Sequence, residues 1–300
     1  MKVFVTGATG FVGTAVVQEL LAHGHQVLGL ARSEESVKKL LAAGAEALRG
    51  DLNDFDSLKS GAMASDAVIH LGFVHDFTKF EEMCKLDGKV IEAIGEALLG
   101  TDKPFLITSG TALFSKDGIT TEKDFSANNP HPRIATENAA DAVAAKGVKV
   151  AVVRLSPSVH GKGDVIGFVP TSINIAKEKG KAAMINDGSN FWPAVHVLDA
   201  AKLYRLALEK PFISGTRYHA VAEQGIPFKD IATFIAEKLQ LPLVSLTKDE
   251  AAAHFGWFAH FAKLNNLTSS EATRVTLGWD PQHPTLIEDL QNDIYFQEIK

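Results

Sequence analysis

The segment Thr6-Gly7-Ala8-Thr9-Gly10-Phe11-Val12-Gly13 constrains the fold more than any other. It follows a short apolar run, Lys2–Thr6, and leads into Phe11–His23, where apolar residues recur at helical spacing. Each glycine of a GxxGxxG turn between strand and helix has its own reason. Gly7 permits the tight turn, Gly10 lets main chain approach a pyrophosphate with no Cβ in the way, and Gly13 lets helix and strand pack closely. The helix N-terminus offers free N–H groups and a partial positive charge to phosphates. Gly7, Thr9, Gly10, Phe11, Val12 and Gly13 are therefore expected to hold the pyrophosphate of a dinucleotide.

The chain continues as that turn requires. Strand-like runs at Gln26–Ala31, Glu46–Gly50, Ala67–Leu71, Pro104–Thr108 and Val148–Leu155 alternate with helical patterns at Glu34–Ala43, Asn53–Gly61, Phe80–Leu99 and Arg133–Lys146. Such alternation predicts an α/β fold, a Rossmann-type doubly wound parallel sheet with helices on both faces. After Leu155 the pattern loosens into glycines, prolines and short helices. Asp199–Glu209 and Phe228–Leu239 read as helices. We expect a dinucleotide-binding domain over 1–160 and a smaller, mostly helical substrate lobe over 161–300, with about 192–220 returning to the first domain. The aromatic run HFGWFAHF at 254–261 reads as a packed helix of that lobe, or as an apolar wall of a substrate cleft.

Composition narrows the partners. The net charge of -6 and the lack of a basic stripe argue against nucleic acid. A single cysteine, Cys84, rules out an intramolecular disulfide and fits a reducing compartment; in its helical setting it reads as a packing residue. No apolar run reaches the roughly 18–20 residues that span a bilayer, and a strand beginning at Lys2 leaves no room for a leader. No HExxH or CxxC spacing points to a metal. The expectation is a cytoplasmic protein, monomer or homodimer, acting on a small molecule.

Cofactor choice is read at the end of the second strand. NAD-preferring folds carry an acid there, about 20 residues past the turn, for the ribose 2′-hydroxyl. Here the strand ends Ala31-Arg32-Ser33. Arg32 can make a forked pair with a 2′-phosphate and Ser33 can add a hydrogen bond. That favours NADP(H), with NAD(H) still open because Glu34 and Glu35 follow; acids also suit a first helical turn.

These residues resemble the extended short-chain dehydrogenase/reductase superfamily, the group of NAD-dependent epimerases and dehydratases. The signposts are TGATGFVG at 6–13, GDL at 50–52, VIHLG at 68–72, FLITSGT at 105–111, VVRLSPSVHGKGD at 152–164 and WPAVHVLDAA at 192–201. The resemblance implies that Asp51 and Leu52 flank the adenine, that Leu71 and Gly72 pass beneath the adenosine ribose, and that Pro157, Ser158 and Val159 lie near the nicotinamide. Asp51 can equally belong to the turn before the next helix.

The same resemblance implies a catalytic Ser/Thr and a Tyr-x-x-x-Lys pair, and here the chain departs from it. Pro132-Arg133-Ile134-Ala135-Thr136-Glu137 puts Arg133 at the tyrosine position and Glu137 at the lysine position; the serine position falls at Gly110, between Ser109 and Thr111. Arginine is a poor proton donor at neutral pH, yet it can polarise a carbonyl. Glu137 can accept from ribose hydroxyls, or pair with Arg133 one helical turn away. Ser109 or Thr111 can hold a substrate oxygen or bond nearby main chain. Histidines titrate near neutrality, so His131 is the first candidate for a replacement acid, ahead of His160, His70, His75 and His196.

The leading expectation is an NADP(H)-dependent oxidoreductase acting on a small carbonyl-type substrate by hydride transfer without the usual pair. The alternative is a non-catalytic NADP(H)-binding sensor or scaffold. Sugar-nucleotide epimerisation fits less well, because it needs an acid/base that the missing tyrosine would have supplied.

Overall fold

A computed structural model of the chain describes residues 1–292, 295 and 296. The substrate-lobe range above runs to 300; residues 293, 294 and 297–300 lie outside the described residues. The first part alternates as expected: β1 (Lys2–Thr6), α1 (Phe11–Ala22), β2 (Gln26–Ala31), α2 (Glu34–Ala42), β3 (Glu46–Arg49), α3 (Phe55–Met63), β4 (Ala67–His70), α4 (Phe80–Leu98), β5 (Phe105–Gly110), α5 (Ile134–Ala145) and β6 (Val150–Leu155). Then come β7 (Ser158–His160), α6 (Phe168–Lys179), β8 (Ala182–Ile185), β9 (Phe191–His196), α7 (Val197–Glu209), β10 (Arg217–Ala220), β11 (Glu223–Pro227), α8 (Phe228–Leu239), β12 (Leu243–Leu246), α9 (Lys248–Phe255), α10 (Ala259–Ala262), α11 (Glu271–Leu277) and α12 (Leu286–Leu290).

Seven strands form one parallel sheet in the order β10-β6-β5-β4-β1-β2-β3. Its inner strands β1, β4, β5 and β6 are buried on both faces. In β1, Val3 and Val5 point into one core with Leu20 and Tyr204, while Phe4 points into the other with Leu58 and Ile91. This explains why the strands read as continuous apolar runs and not as alternating ones. Strand order reverses between β1 and β4, which opens a crevice at the carboxyl ends of those strands, the usual place for a ligand in such sheets.

α7 and β10 return to this sheet, α7 packing on α1 and β10 pairing with β6. β9 instead joins the three-stranded sheet β11-β9-β7. A two-stranded sheet, β12-β8, and helices α6, α8 and α9 complete the second lobe around Trp192, Phe228, Phe255 and Phe258. The single helix expected over 254–261 is broken: Gly256 takes φ +55, and a 3₁₀ turn, Gly256–Phe258, separates α9 from α10. Phe255 and Phe258 enter the core, whereas Trp257 is 57% exposed. Among the described residues no helix is long and apolar enough to cross a membrane.

Candidate functional site

The glycine turn sits at the crevice, and its three glycines are held by different causes. Gly7 has φ +66, and a Cβ there would lie 2.7 Å from the Gly72 nitrogen; a Cβ on Gly13 would lie 2.0 Å from the Gly7 carbonyl oxygen. Both are demanded by packing. Gly10 is exposed, caps α1 with ordinary extended backbone and no side-chain hydrogen bond, and a Cβ there would meet only the Gly7 oxygen, at 3.3 Å. The fold makes a lighter demand for glycine here, since only the Gly7 oxygen would have to give, by a few tenths of an ångström. Gly72 also lies against Leu52, whose Cδ2 is 3.1 Å from where its Cβ would be, and Leu71 N donates to the Thr6 carbonyl. The turn, Leu52, Leu71 and Gly72 are therefore brought together.

At the end of β2, Arg32 is exposed. The Ser33 hydroxyl is spent locally: it caps α2 by accepting from Ser36 N and donates to Ser36 Oγ, both at 3.1 Å. Thr9 also donates to Ser36 Oγ, at 3.5 Å. Ser36 thus stands between the two, and the sequence reading missed it although it lies three residues past a helix cap. The acids that follow Arg32 are already engaged, Glu34 with Arg49 at 3.5 Å and Glu35 with Lys39 at 2.7 Å. Arg49 is paired in register with Ala31, which puts a second guanidinium at this edge. Asp51 serves its own turn, accepting from Asn53 N at 2.9 Å and Asn53 Nδ2 at 2.7 Å. Those bonds, with a smaller contribution from Arg32, hold its carboxyl below the usual value.

At the other end the expected neighbours separate. Arg133 and Glu137 do not pair. Glu137 is fully buried and holds Arg154 of β6 in a fork, Nε to Oε1 at 2.7 Å and Nη2 to Oε2 at 3.0 Å, with Arg217 of β10 at 3.1 Å. Burial alone would raise its carboxyl; Arg154 and Arg217 outweigh burial and hold it low. Glu137 is thus turned from the cleft into an ion cluster, which corrects the expected contact with ribose hydroxyls. Arg154 stands inside an otherwise apolar strand, VAVVRL, and a charge in that setting signals a buried partner.

Arg133 caps α5 and is half-buried. Its guanidinium lies 3.7 Å above the Phe73 ring, donates from Nη2 to the Thr108 carbonyl at 3.3 Å and approaches Asp87 with Nη1 at 3.4 Å. Nη1 has no hydrogen-bond partner. The buried hydroxyl of Ser158 also lacks a partner, whereas that of Ser109 lies toward Glu137 and helps keep its carboxyl low. Such unmet groups are rare in a folded interior. Thr111 is not one of them: it donates to Asn266 Oδ1 at 2.7 Å, and Asn266 Nδ2 donates back to its carbonyl, tying β5 to the second lobe. This corrects Thr111 as a substrate-binding hydroxyl. Pro157 and Val159 flank Ser158, and Val159 packs on the sheet core beside Phe11 and Val12.

His131 accepts from Arg133 N at 3.2 Å; burial, then the charges of His260 and Arg133, push its pKa down. His70 is buried between Thr6 and Asp87. His75 meets Phe73 edge-on. His160 bonds Asp289 at 2.9 Å, and His196 stacks on His283, its pKa pushed down to about 4 by burial and by the neighbouring His160 and His283. Tyr204 is buried beneath the site, its hydroxyl bonded to Thr108 Oγ1 at 2.7 Å, and burial drives its pKa up.

Comparison with known proteins agrees with this architecture. The chain is 50% identical over 297 residues to an uncharacterised protein of Schizosaccharomyces pombe, covering 99% of this chain and 100% of that one. It is 27% identical over 264 residues to the 2-alkyl-3-oxoalkanoate reductase of Stenotrophomonas maltophilia, covering 81% and 77%. Its fold superimposes on MoeE5, solved in complex with UDP-glucose and NAD, with a TM-score of 0.75 at 21% identity, covering 97% and 96% of the two chains. Residues 3–219 match the model of the NAD dependent epimerase/dehydratase family. The chain belongs to that family, as an atypical member of the extended short-chain dehydrogenase/reductase superfamily.

Proposed function

We propose that the chain is an NADP(H)-dependent oxidoreductase that reduces a small carbonyl-type substrate without a Tyr-x-x-x-Lys pair. The observation that carries this reading is the Arg133 guanidinium, at the position where the family keeps its tyrosine, with Nη1 unbonded. The open α1 N-terminus at Gly10 fits a dinucleotide pyrophosphate, and the unbonded Ser158 hydroxyl fits the nicotinamide end. Gly7, Thr9, Gly10, Phe11, Val12 and Gly13 would hold the pyrophosphate, with Asp51, Leu52, Leu71 and Gly72 about the adenosine and Pro157, Ser158 and Val159 near the nicotinamide. Arg32 would take the 2′-phosphate. The engagement of Glu34 and Glu35 by Arg49 and Lys39 removes the main objection to that choice.

NADPH, when bound, would supply the hydride and so become NADP⁺. Arg133 binds the carbonyl oxygen and stabilises the charge that gathers on it. A guanidinium holds its proton at neutral pH, so the proton that completes the alcohol comes from water or from a histidine such as His131. The buried thiol of Cys84, pushed up to about 11 by burial, takes no part and fits a cytoplasmic protein.

The test is NADPH consumption with a panel of aldehydes, ketones and enones, repeated with Arg133→Ala. Turnover should fall roughly 10²–10³-fold, the usual cost of one oxyanion donor, while NADPH affinity stays the same. A wild type that binds NADPH and turns over nothing on the panel would favour the second reading, a non-catalytic NADP(H)-binding sensor. The burial of Glu137 in an ion cluster is the observation on its side.

A further inference from the structure

Helix α4 carries a carboxylate, Asp87, on its buried face among Cys84, Val90, Ile91 and Ile94. An ionised group in such a place is costly unless paired, and the route of its pairing is informative. α4 and α5 approach closely: a Cβ on Gly88 would be 3.6 Å from the Ala135 carbonyl, and one on Gly95 would be 2.5 Å from Val143. This brings Asp87 Oδ2 to Thr136 Oγ1 at 2.5 Å and to Arg133 Nη1 at 3.4 Å. Asp87 Oδ1 meets His70 Nε2 at 3.1 Å, and His70 Nδ1 meets Thr6 Oγ1 at 2.6 Å. Thr6 Oγ1 in turn accepts from Gly72 N at 3.1 Å.

One proton arrangement satisfies every link. Gly72 N–H donates to Thr6, the Thr6 hydroxyl donates to His70 Nδ1, and His70 Nε2–H and the Thr136 hydroxyl donate to the Asp87 carboxylate. Burial works against ionised Asp87, but Arg133, His70 and Thr136 outweigh it and hold its carboxyl low. Thr6, His70, Asp87 and Thr136 are all at most 3% exposed. Gly72 N is also the atom that a Gly7 side chain would strike, so the chain begins at the phosphate-binding turn.

We propose that Asp87, aligned by His70 and Thr6, is the positioning residue for Arg133, and that this buried chain makes the place of the carbonyl-binding guanidinium depend on the phosphate-binding turn. Asp87 does not need Arg133 for its hydrogen bonds, since His70 and Thr136 already supply them. The Asp87–Arg133 approach instead anchors the cation by charge, with Phe73 beneath it, and leaves Nη1 a donor for a substrate oxygen. The inference rests on the reading of Arg133 given above.

Asp87→Asn keeps the shape and removes the charge. With a carbonyl that the wild type reduces, it should lower kcat about 10- to 100-fold, the scale of a misplaced reacting group, and leave NADPH affinity unchanged. His70→Gln should give a smaller loss in the same direction, and it carries the test should Asp87→Asn fail to fold. In an Arg133→Ala background neither change should slow turnover further. Losses that multiply in that background would mean a merely structural Asp87 and would overturn the proposal. Should the wild type reduce nothing on the panel, the oxidoreductase reading fails, and NMR of the Arg133 guanidinium in the NADP⁺-bound protein decides this one separately. Hindered rotation should keep its Nη signals distinct in the wild type and merge them in Asp87→Asn or His70→Gln. Unchanged signals in both variants would overturn the positioning role.

Discussion

At the glycine-turn end of the crevice the protein presents main chain. Gly7, Gly10 and Gly13 lie within seven consecutive residues, and the helix N-terminus they shape needs no distant partner. At the opposite end it presents side chains held by side chains. Glu137 answers Arg154, 17 positions away, and Arg217, 80 positions away; Asp87 reaches Thr136 across 49. The first kind of site is written in one stretch of sequence and tolerates changes elsewhere. The second exists only after α4, α5, β6 and β10 have packed, and each of its charges depends on another.

The contrast is broken most severely at Gly13. Gly13→Ala should abolish the native far- and near-UV circular dichroism, because its Cβ strikes main chain at 2.0 Å. Gly10→Val should instead leave both spectra intact and remove NADPH binding, measured by titration. Equal behaviour of the two variants would deny that the turn separates packing glycines from a ligand glycine. Glu137→Ala comes next. It leaves Arg154, fully buried, without its carboxylate, while Arg217 keeps Asp141, and should cost about 3–5 kcal/mol in urea unfolding. A loss of cofactor affinity with unchanged stability would return Glu137 to the cleft.

A fourth variant sharpens the comparison at the loop between β7 and α6. Asp164 is buried where a Gly163 Cβ would lie 3.7 Å from Phe11, and burial pushes its carboxyl up to about 7. Its folded pKa thus lies above the unfolded one, so the native state holds more protons between roughly pH 4 and 7. Its contribution to stability is full below that window and falls as pH rises through it, by at most about 1.4 kcal/mol per unit. Asp164→Asn, which can still accept from Gly167 N, should match the wild type at pH 4 and melt higher at pH 8. A wild-type-minus-variant difference that is flat with pH would rule this out. The smallest effect is at the exposed rim: Arg32→Asp should weaken NADPH by about 1.5–3 kcal/mol, the value of a charged hydrogen bond, and spare NADH. Equal affinity of the wild type for the two cofactors would refute the NADP(H) choice.

The same division explains what could be read from sequence. The parallel sheet and the turn were legible, because alternation of runs and glycine spacing are local. So was the departure at Arg133. Its consequence was not: a pair one helical turn apart on paper separated, because Arg154 and Arg217 offered Glu137 a better bonded, buried fork. The hints were single charges in apolar settings, Arg154 within VAVVRL and Asp87 on the buried face of α4. A lone charge of that kind announces that a partner exists without saying where. The break at Gly256 was missed because a run of aromatics reads as one helix until a glycine takes a positive φ.

One connection in the sheet bears on how the protein is made. β6 ends at Leu155, and the strand that covers its open edge, β10, begins at Arg217 after much of the second lobe has been threaded. During synthesis β6 therefore waits with its edge bare, and Arg217, which closes the cluster around Glu137, arrives last. Bare parallel edges invite pairing with other chains. A fragment stopped near residue 160 would carry the whole glycine turn and still tend to aggregate, so a nascent chain paused there is the species on which a chaperone would act.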